Sequence, residues 1–202
     1  RAKLPIAFSQ GYNPRPQISF GSALAVSLTS DSEYIDFELK ERLDPAEFKI
    51  RLNQELPEGI KIIKAMEVPL KADSLMSIIN AGSYIVRLEF EEELTTEQLK
   101  EKIDQFLGQA EIKIIRKRRN KSNRELDLKE KIFSIDVIGV QEKIGTIKIL
   151  VQTGSAGNVR PQEVIRALAN QFEVINQPRM VNIHRSGLYI KKREALFTPF
   201  EI

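Results

Sequence analysis

The sequence predicts an α+β fold built as two successive modules, and three observations carry that reading. At 202 residues the chain has the length of one large domain or two of about 100 residues each. Strand-type alternation and helix-type periodicity interleave along it rather than separating into blocks. The pattern also restarts: a strand, strand, helix, strand succession in residues 1–66 is followed, after a connecting segment at 67–81, by a longer succession in residues 82–202.

In the first module, Leu4, Ile6 and Phe8 lead into Ser9-Gln10-Gly11-Tyr12-Asn13-Pro14-Arg15-Pro16. Prolines and turn formers there exclude regular helix and inner-strand pairing, so this is a loop. Residues 18–26 and 33–39 read as two antiparallel strands; in the second, Ile35, Phe37 and Leu39 alternate with polar or amphipathic neighbours. Asp44-Pro45-Ala46-Glu47 combines an N-cap aspartate, a first-turn proline and a glutamate able to accept from orphaned amides. A helix presenting Phe48, Leu52 and Leu56 inward should follow, stopped by Pro57 and Gly59, with a further strand at 60–66. In the connecting segment, Asp73 is placed to cap one or two helical turns.

In the second module, Tyr84, Val86, Leu88 and Phe90 alternate with Ile85, Arg87 and Glu89, predicting a strand. Thr95 and Gln98 have capping-box spacing ahead of Leu99, Ile103, Phe106 and Leu107, an amphipathic helix with Gly108 as its stop. Residues 111–115 and 131–138 are strand candidates joined by a long basic hairpin, and 146–152 is a third. Val164, Ile165, Leu168, Ala169 and Phe172 mark a second helix, and 180–190 a last strand or hairpin.

Strand, helix, strand, strand, helix, strand is the split β-α-β order of ferredoxin-like domains, with one strand of the second module, either 131–138 or 146–152, left over as part of an extended hairpin. Against that template the expected architecture is two tandem ferredoxin-like modules. The first lacks its opening strand and helix, about thirty residues in such a fold. The chain starts on Arg1 rather than Met, in a segment already under way, and the expectation is that residues precede it.

Composition narrows the chemistry. With 42% hydrophobic and 29% charged residues the chain is ordinary globular material. No cysteine means no thiolate nucleophile, disulfide, cysteine zinc site or cysteine-held iron–sulfur cluster, and one histidine excludes a multi-histidine metal site. No apolar run approaches the ~20 residues of a membrane span, and no signal peptide is evident, so a soluble cytoplasmic protein without metal or membrane attachment is expected. A net charge of +3 is too small to define a polyanion partner by itself; the distribution must decide.

Four places carry candidate chemistry. Arg116, Lys117, Arg118, Arg119, Lys121 and Arg124 form a run of cations without an acid. On a hairpin tip such a run contacts successive phosphates, while the plainer reading is a solvated turn. The loop Thr153-Gly154-Ser155-Ala156-Gly157-Asn158-Val159-Arg160-Pro161 opens a helix, so the amides around Gly154, Gly157 and Asn158 suit an anion clamped by Arg160. It lacks the lysine-containing ending of a P-loop, and a simple chain reversal is its plainer reading. Tyr12, Asn13 and Arg15 offer a stacking surface and donors in a proline-stiffened frame, for a base, a partner or merely the end of a sheet. His184, beside Arg185 and Tyr189, is the one imidazole available for acid–base work, although no orienting carboxylate is evident and a packed or surface histidine is the plainer reading. The acidic run Glu91-Glu92-Glu93 reads as a complement to the following helix dipole.

Leu4-Pro5-Ile6-Ala7-Phe8-Ser9-Gln10-Gly11-Tyr12-Asn13-Pro14-Arg15-Pro16, followed by Ile18-Ser19-Phe20, resembles the signature of the radical-SAM-linked protein family, a bacterial domain of unknown function. The resemblance continues through Glu33-Tyr34-Ile35-Asp36, Leu56-Pro57-Glu58-Gly59 and the 154–161 loop. Members usually carry an extra stretch before the Leu-Pro, and are encoded beside or fused behind a radical SAM enzyme. The resemblance therefore implies an accessory role. The iron–sulfur cluster and S-adenosylmethionine would belong to the partner, since this chain has no cysteine to hold a cluster. The leading expectation is an accessory protein that binds or presents RNA or a ribosome-related substrate through its basic loops. The alternatives are a non-catalytic scaffold for the radical SAM partner and a metal-independent RNA-processing enzyme using His184.

Overall fold

The computed structural model describes residues 1–117, 122–172 and 182–202. It is a mixed α+β structure with four α-helices among the described residues. Three short strands come first: β1 (Ile18–Phe20), β2 (Thr29–Ser30) and β3 (Ile35–Phe37). β1 and β3 pair antiparallel as expected, with Ile18 opposite Phe37 and Phe20 opposite Ile35. Both are shorter than the sequence suggested. The amide of Gly21 closes on Tyr34 O at 2.9 Å, and Ser27 adopts φ 71°, so the chain turns where a long first strand was expected.

Helix α1 (Pro45–Asn53) begins as read: Asp44 accepts from the amides of Ala46 and Glu47 at 2.9 and 3.1 Å. Phe48 points inward, edge-on to Phe37 with ring centroids 5.1 Å apart. The strand expected at 60–66 does not form a ladder. Side chains of α1 take the place of a partner strand: Asn53 both donates to and accepts from the backbone of Ile62, and Lys49 Nζ donates to Ile63 O at 2.6 Å. A second correction concerns α2 (Leu75–Ile78), whose orphan amide is met by Asp36 rather than Asp73. The Leu75 amide donates to Asp36 Oδ2 at 3.0 Å, an acceptor lent by β3 across 39 residues.

The second part is built around β4 (Ala81–Glu89), whose Tyr84, Val86 and Leu88, with Phe90 just beyond, are all buried. Helix α3 (Thr96–Leu107) carries the full Thr95/Gln98 capping box and buries Leu99, Ile103 and Phe106. Gly108 ends it in a right-handed conformation, its amide on Asp104 O at 2.8 Å. Next, β5 (Lys113–Arg116) pairs only with β6 (Arg124–Asp127), making a two-stranded ribbon. This corrects the expected hairpin: the basic segment joins β5 to β6, not to the strand that follows. β7 (Ile132–Gln141) and β8 (Ile144–Gln152) form their own hairpin, α4 (Pro161–Phe172) crosses the sheet, and β9 (Asn182–Lys192) and β10 (Ala195–Phe197) complete it.

The sheet order is β10-β9-β4-β8-β7, every pair antiparallel, with β2 joining β9 in parallel. Setting aside the ribbon, β4-α3-β7-β8-α4-β9 is a strand, helix, strand, strand, helix, strand succession; the strand outside it is β5 with its partner β6, not 131–138 or 146–152 as expected, since both of those lie in the main sheet. β4, β8 and both long helices supply one continuous core in which Leu88, Ile147, Ile149 and Val151 are fully enclosed.

Residues 21–33 reach this core through Arg185 on β9, which is 3% exposed. Its Nη1 donates to both Glu33 oxygens at 2.9 Å and to Ser22 O at 3.1 Å, and Nη2 donates to Ala23 O at 2.9 Å. One further tie joins the first part of the chain to the end of the second: Phe200 packs against Tyr34 at 5.8 Å beneath Lys64. Removing one partner of a buried charge leaves the other stranded, which typically costs about 3–5 kcal/mol. Glu33→Ala should therefore destabilise the protein by about 3 kcal/mol, seen as a lower denaturation midpoint in urea with an unchanged slope.

Candidate functional site

Two features that look separate in the sequence, the basic segment and the 154–161 loop, are brought together by one ion pair. Arg116 ends β5 opposite Arg124 of β6. Its Nε donates to Glu163 Oε1 at 2.8 Å, and its Nη2 donates to Glu163 Oε2 at 2.7 Å and to Asn158 O at 2.9 Å. The two parallel bonds fix the direction of the guanidinium as well as its position. Glu163 is only 6% exposed, and its Oε2 also accepts from the Arg160 amide at 3.0 Å. As in α1, proline takes the first helical position; here the glutamate at the third position reaches back to the amide of the residue before the helix.

This geometry corrects the roles assigned to two sets of residues. Arg116 is the anchor of the ribbon and not a free phosphate contact. At the α4 N-terminus the chain's own Glu163 carboxylate takes the Arg160 amide, and within the loop several groups are engaged internally. Gly157 N donates to Gly154 O, Val159 N to Gln152 O, and Thr153 Oγ1 to the Asn158 side chain at 3.2 Å. Gly154 is required by geometry: at φ +88° a Cβ there would lie 2.3 Å from the Ile79 carbonyl oxygen. Among the described residues of this region, Arg160 at the helix start, Asn158 in the loop, and Lys117 and Arg124 on the ribbon side are exposed. Arg118, Arg119 and Lys121 lie outside the described residues.

The ribbon has a firm root. Asp127 Oδ1 accepts from the amides of Ile112 and Lys129, both at 2.9 Å, while Lys129 Nζ reaches Leu107 O. The two backbone donors, Lys129 first, hold the Asp127 carboxyl below its ordinary range. Lys113 is engaged by Glu111 and Glu125, and the hydrogen bond to Glu111 raises its ammonium pKa.

The Tyr12 loop is a separate feature. Ser9 and Arg15 close its base, with Ser9 N on Arg15 O at 2.8 Å and Arg15 N on Ser9 Oγ at 3.0 Å, and Gly11 takes φ +136°. Tyr12 stands fully exposed at the tip, with Asn13 and Arg15 also exposed. No described hydrogen bond or ion pair joins this loop to the ribbon or to α4.

His184 has the orienting carboxylate that the sequence did not reveal. Its Nε2 lies 2.7 Å from Asp31 Oδ1, and its Nδ1 lies 2.9 Å from Thr29 Oγ1. Asp31 is 153 residues away in sequence, brought in by the β2–β9 pairing. Arg185, named as a helper of His184, is instead the buried tie to Glu33. Of the residues that sequence reasoning missed, Glu163 had a readable signal, the Pro161-Gln162-Glu163 start, and Glu33 was marked only by its place in the Glu33-Tyr34-Ile35-Asp36 resemblance; Thr29 and Asp31 had none. Among the described residues no group of three or more His, Cys, Asp or Glu is arranged to hold a metal ion, and no helix is long and apolar enough to cross a membrane.

A family described as an uncharacterized protein conserved in bacteria, DUF2344, matches residues 1–161, and the chain belongs to that family. No curated protein matches it. Among solved structures it is distantly similar to a chain in the crystal structure of a Cbf5–Nop10–Gar1 complex, at 12% identity and a TM-score of 0.46 over 91% of this chain and 44% of that one. A chain in the archaeal box H/ACA sRNP Nop10–Cbf5 complex matches at 13% identity and a TM-score of 0.35, covering 61% of this chain and 33% of the other. The present chain thus spans less than half the length of either.

The lowered Asp127 pKa gives a prediction with a definite sign. The ionised carboxylate stabilises the ribbon root above the ordinary carboxylate value of about 4, and that contribution is lost as pH falls through the lowered value. Amide-exchange protection at Ile112 and Lys129 should drop relative to the β8 amides on acidification from about pH 5 to pH 2. In Asp127→Asn the protection should be low at both ends and independent of pH.

Proposed function

We propose that this chain is a cytoplasmic accessory protein of a radical SAM enzyme that binds or presents RNA, or a ribosome-related substrate, on the surface where the β5–β6 ribbon meets the start of α4. The observation that carries the reading is the bidentate Arg116–Glu163 pair, which fixes a cationic ribbon beside Arg160. Lys117, Arg124 and Arg160 hold backbone phosphates, and Arg118, Arg119 and Lys121 extend the same run in sequence. Such contacts position a polyanion without selecting its sequence, so the partner's chemistry or RNA shape supplies specificity. The partner carries the iron–sulfur cluster and S-adenosylmethionine, as the resemblance of the 4–20 segment implies. We also read residues 1–66 and 82–202 as two tandem ferredoxin-like modules; in the first, the antiparallel β1–β3 ladder followed by α1 supports it.

A second reading, a protein scaffold for the radical SAM enzyme, draws on the fully exposed Tyr12 at the tip of a closed, proline-stiffened loop. One titration separates the two. Binding of a fluorescent single-stranded RNA should weaken steeply with salt, and the triple variant Lys117→Ala, Arg124→Ala, Arg160→Ala should lower the slope of log affinity against log salt by about 2. Arg118→Ala with Arg119→Ala should act in the same direction. Unchanged affinity and slope in the triple variant would remove the basic surface from the mechanism, and tight partner binding with no RNA affinity would favour the scaffold.

A further inference from the structure

Thr29, His184 and Asp31 form an ordered line of alcohol, imidazole and carboxylate on the edge of the main sheet. One neutral tautomer satisfies both contacts: Nε2–H donates to Asp31 Oδ1 at 2.7 Å, which leaves Nδ1 to accept from the Thr29 hydroxyl at 2.9 Å. This is the division of labour of an activated nucleophile, in which the base touches the alcohol and a third group holds the base in place. Solvent reaches the line: Thr29 is exposed, the His184 side chain is 32% exposed and that of Asp31 73%. Because both ring nitrogens are engaged, the imidazole is not open to a substrate directly. The atom presented for reaction is Thr29 Oγ1.

We propose that Thr29 is a nucleophile for acyl transfer, with His184 as its general base and Asp31 as the positioning residue, taking as substrate a carboxylic ester with a good leaving group. This goes beyond the RNA-binding reading and does not depend on it. Thr29 Oγ1 attacks the carbonyl carbon as its proton passes to His184 Nδ1. The carbonyl carbon–oxygen bond to the leaving group then breaks, and His184 returns the proton to the departing oxygen. The acyl group now sits on Thr29. Water attacks it in the same way: one proton goes to Nδ1 and then to Thr29 Oγ1 as the ester bond breaks, releasing the carboxylic acid. No oxidant, metal or further reactant enters the balance.

The geometry supports this over a purely structural role for His184 because the structural duties at this joint are met elsewhere. The neighbouring Arg185 carries four hydrogen bonds to residues 22, 23 and 33, and the β2–β9 backbone pairs hold Thr29 and Ser30. Thr29→Val keeps the shape and strand preference of the side chain and removes only the hydroxyl.

The test is incubation of the intact protein with p-nitrophenyl acetate, reading p-nitrophenolate release and the mass of the peptide holding Thr29. The expected result is an acetyl group on Thr29 with matching release of p-nitrophenolate. Asp31→Asn and His184→Gln should slow that labelling by about a hundredfold or more, Thr29→Val should abolish it, and Thr29→Ser should retain it. Thermal unfolding of each variant reports the fold separately, and Thr29→Val should stay near the wild type. Acetylation confined to lysines, or labelling of Thr29 at an unchanged rate in Asp31→Asn, would overturn the assignment.

Discussion

A guanidinium with 3% exposure must be almost fully paired by the protein, and the way Arg185 is paired fixes how the start of the chain meets the main sheet. Its partners are two backbone carbonyls, Ser22 and Ala23, and one carboxylate, Glu33. Carbonyls cannot be supplied from a distance; the whole segment 21–33 must lie against β9 for them to converge. β2 then has its backbone within reach of His184 and Arg185, and the parallel bridge forms. The pairing is incomplete in one respect. Arg185 Nε is buried with no hydrogen-bond acceptor among the described residues, while the guanidinium carbon sits 5.7 Å from the Tyr84 ring centre. The ring offers electrostatic compensation to the charge as a whole, a weaker partner than a carbonyl.

The ion pair between Arg116 and Glu163 solves a different problem. A two-stranded ribbon alone has little stability in water, and β5–β6 shares no ladder with the main sheet. Its attachment combines polar ties, Asp127 at the root and Arg116 at the far end of β5, with Ile114 and Leu126 packed against the core. Glu163 has three donors, two from Arg116 and one from the Arg160 amide, so its charge is compensated by a cation and by the positive end of α4 together. An external anion arriving at this helix end would have to displace a carboxylate already held by those donors.

These arrangements explain what could be read from the sequence. Local rules identified the Asp44 cap, the Thr95/Gln98 box, the buried face of β4 and the second helix, because each is decided within a few residues by backbone donors or side-chain period. The expectations that failed depended on distant partners. Residues 60–66 have strand composition, but the Asn53 and Lys49 side chains occupy the backbone groups that a ladder would use. Asp73 has the right spacing for a cap, yet Asp36 arrives from another element. Glycine at 154 looked like an invitation to a phosphate and is there to clear the Ile79 carbonyl. The candidate site residues were legible as residue types; their pairings with Glu163, Asp31 and Thr29 were not, since nothing in spacing encodes a contact across 47 or 153 residues.

Alternation along β9 links the joint to the exposed cluster. Successive strand residues point to opposite faces, so Arg185, opposite Tyr84, turns toward the core, while His184, opposite Ile85, turns the other way. The same two-residue step in β2 sends the Thr29 hydroxyl to the imidazole, while the Ser30 hydroxyl donates to the Arg185 carbonyl. One short parallel bridge thus does two things at once. It closes the buried contacts that hold residues 21–33 in place, and on its outer side it sets an alcohol against an imidazole with a carboxylate behind it. The buried guanidinium gives that outer line its rigidity, because a slip of one residue in the β2 register would exchange Thr29 for Ser30 opposite His184 and break the Arg185 contacts in the same movement.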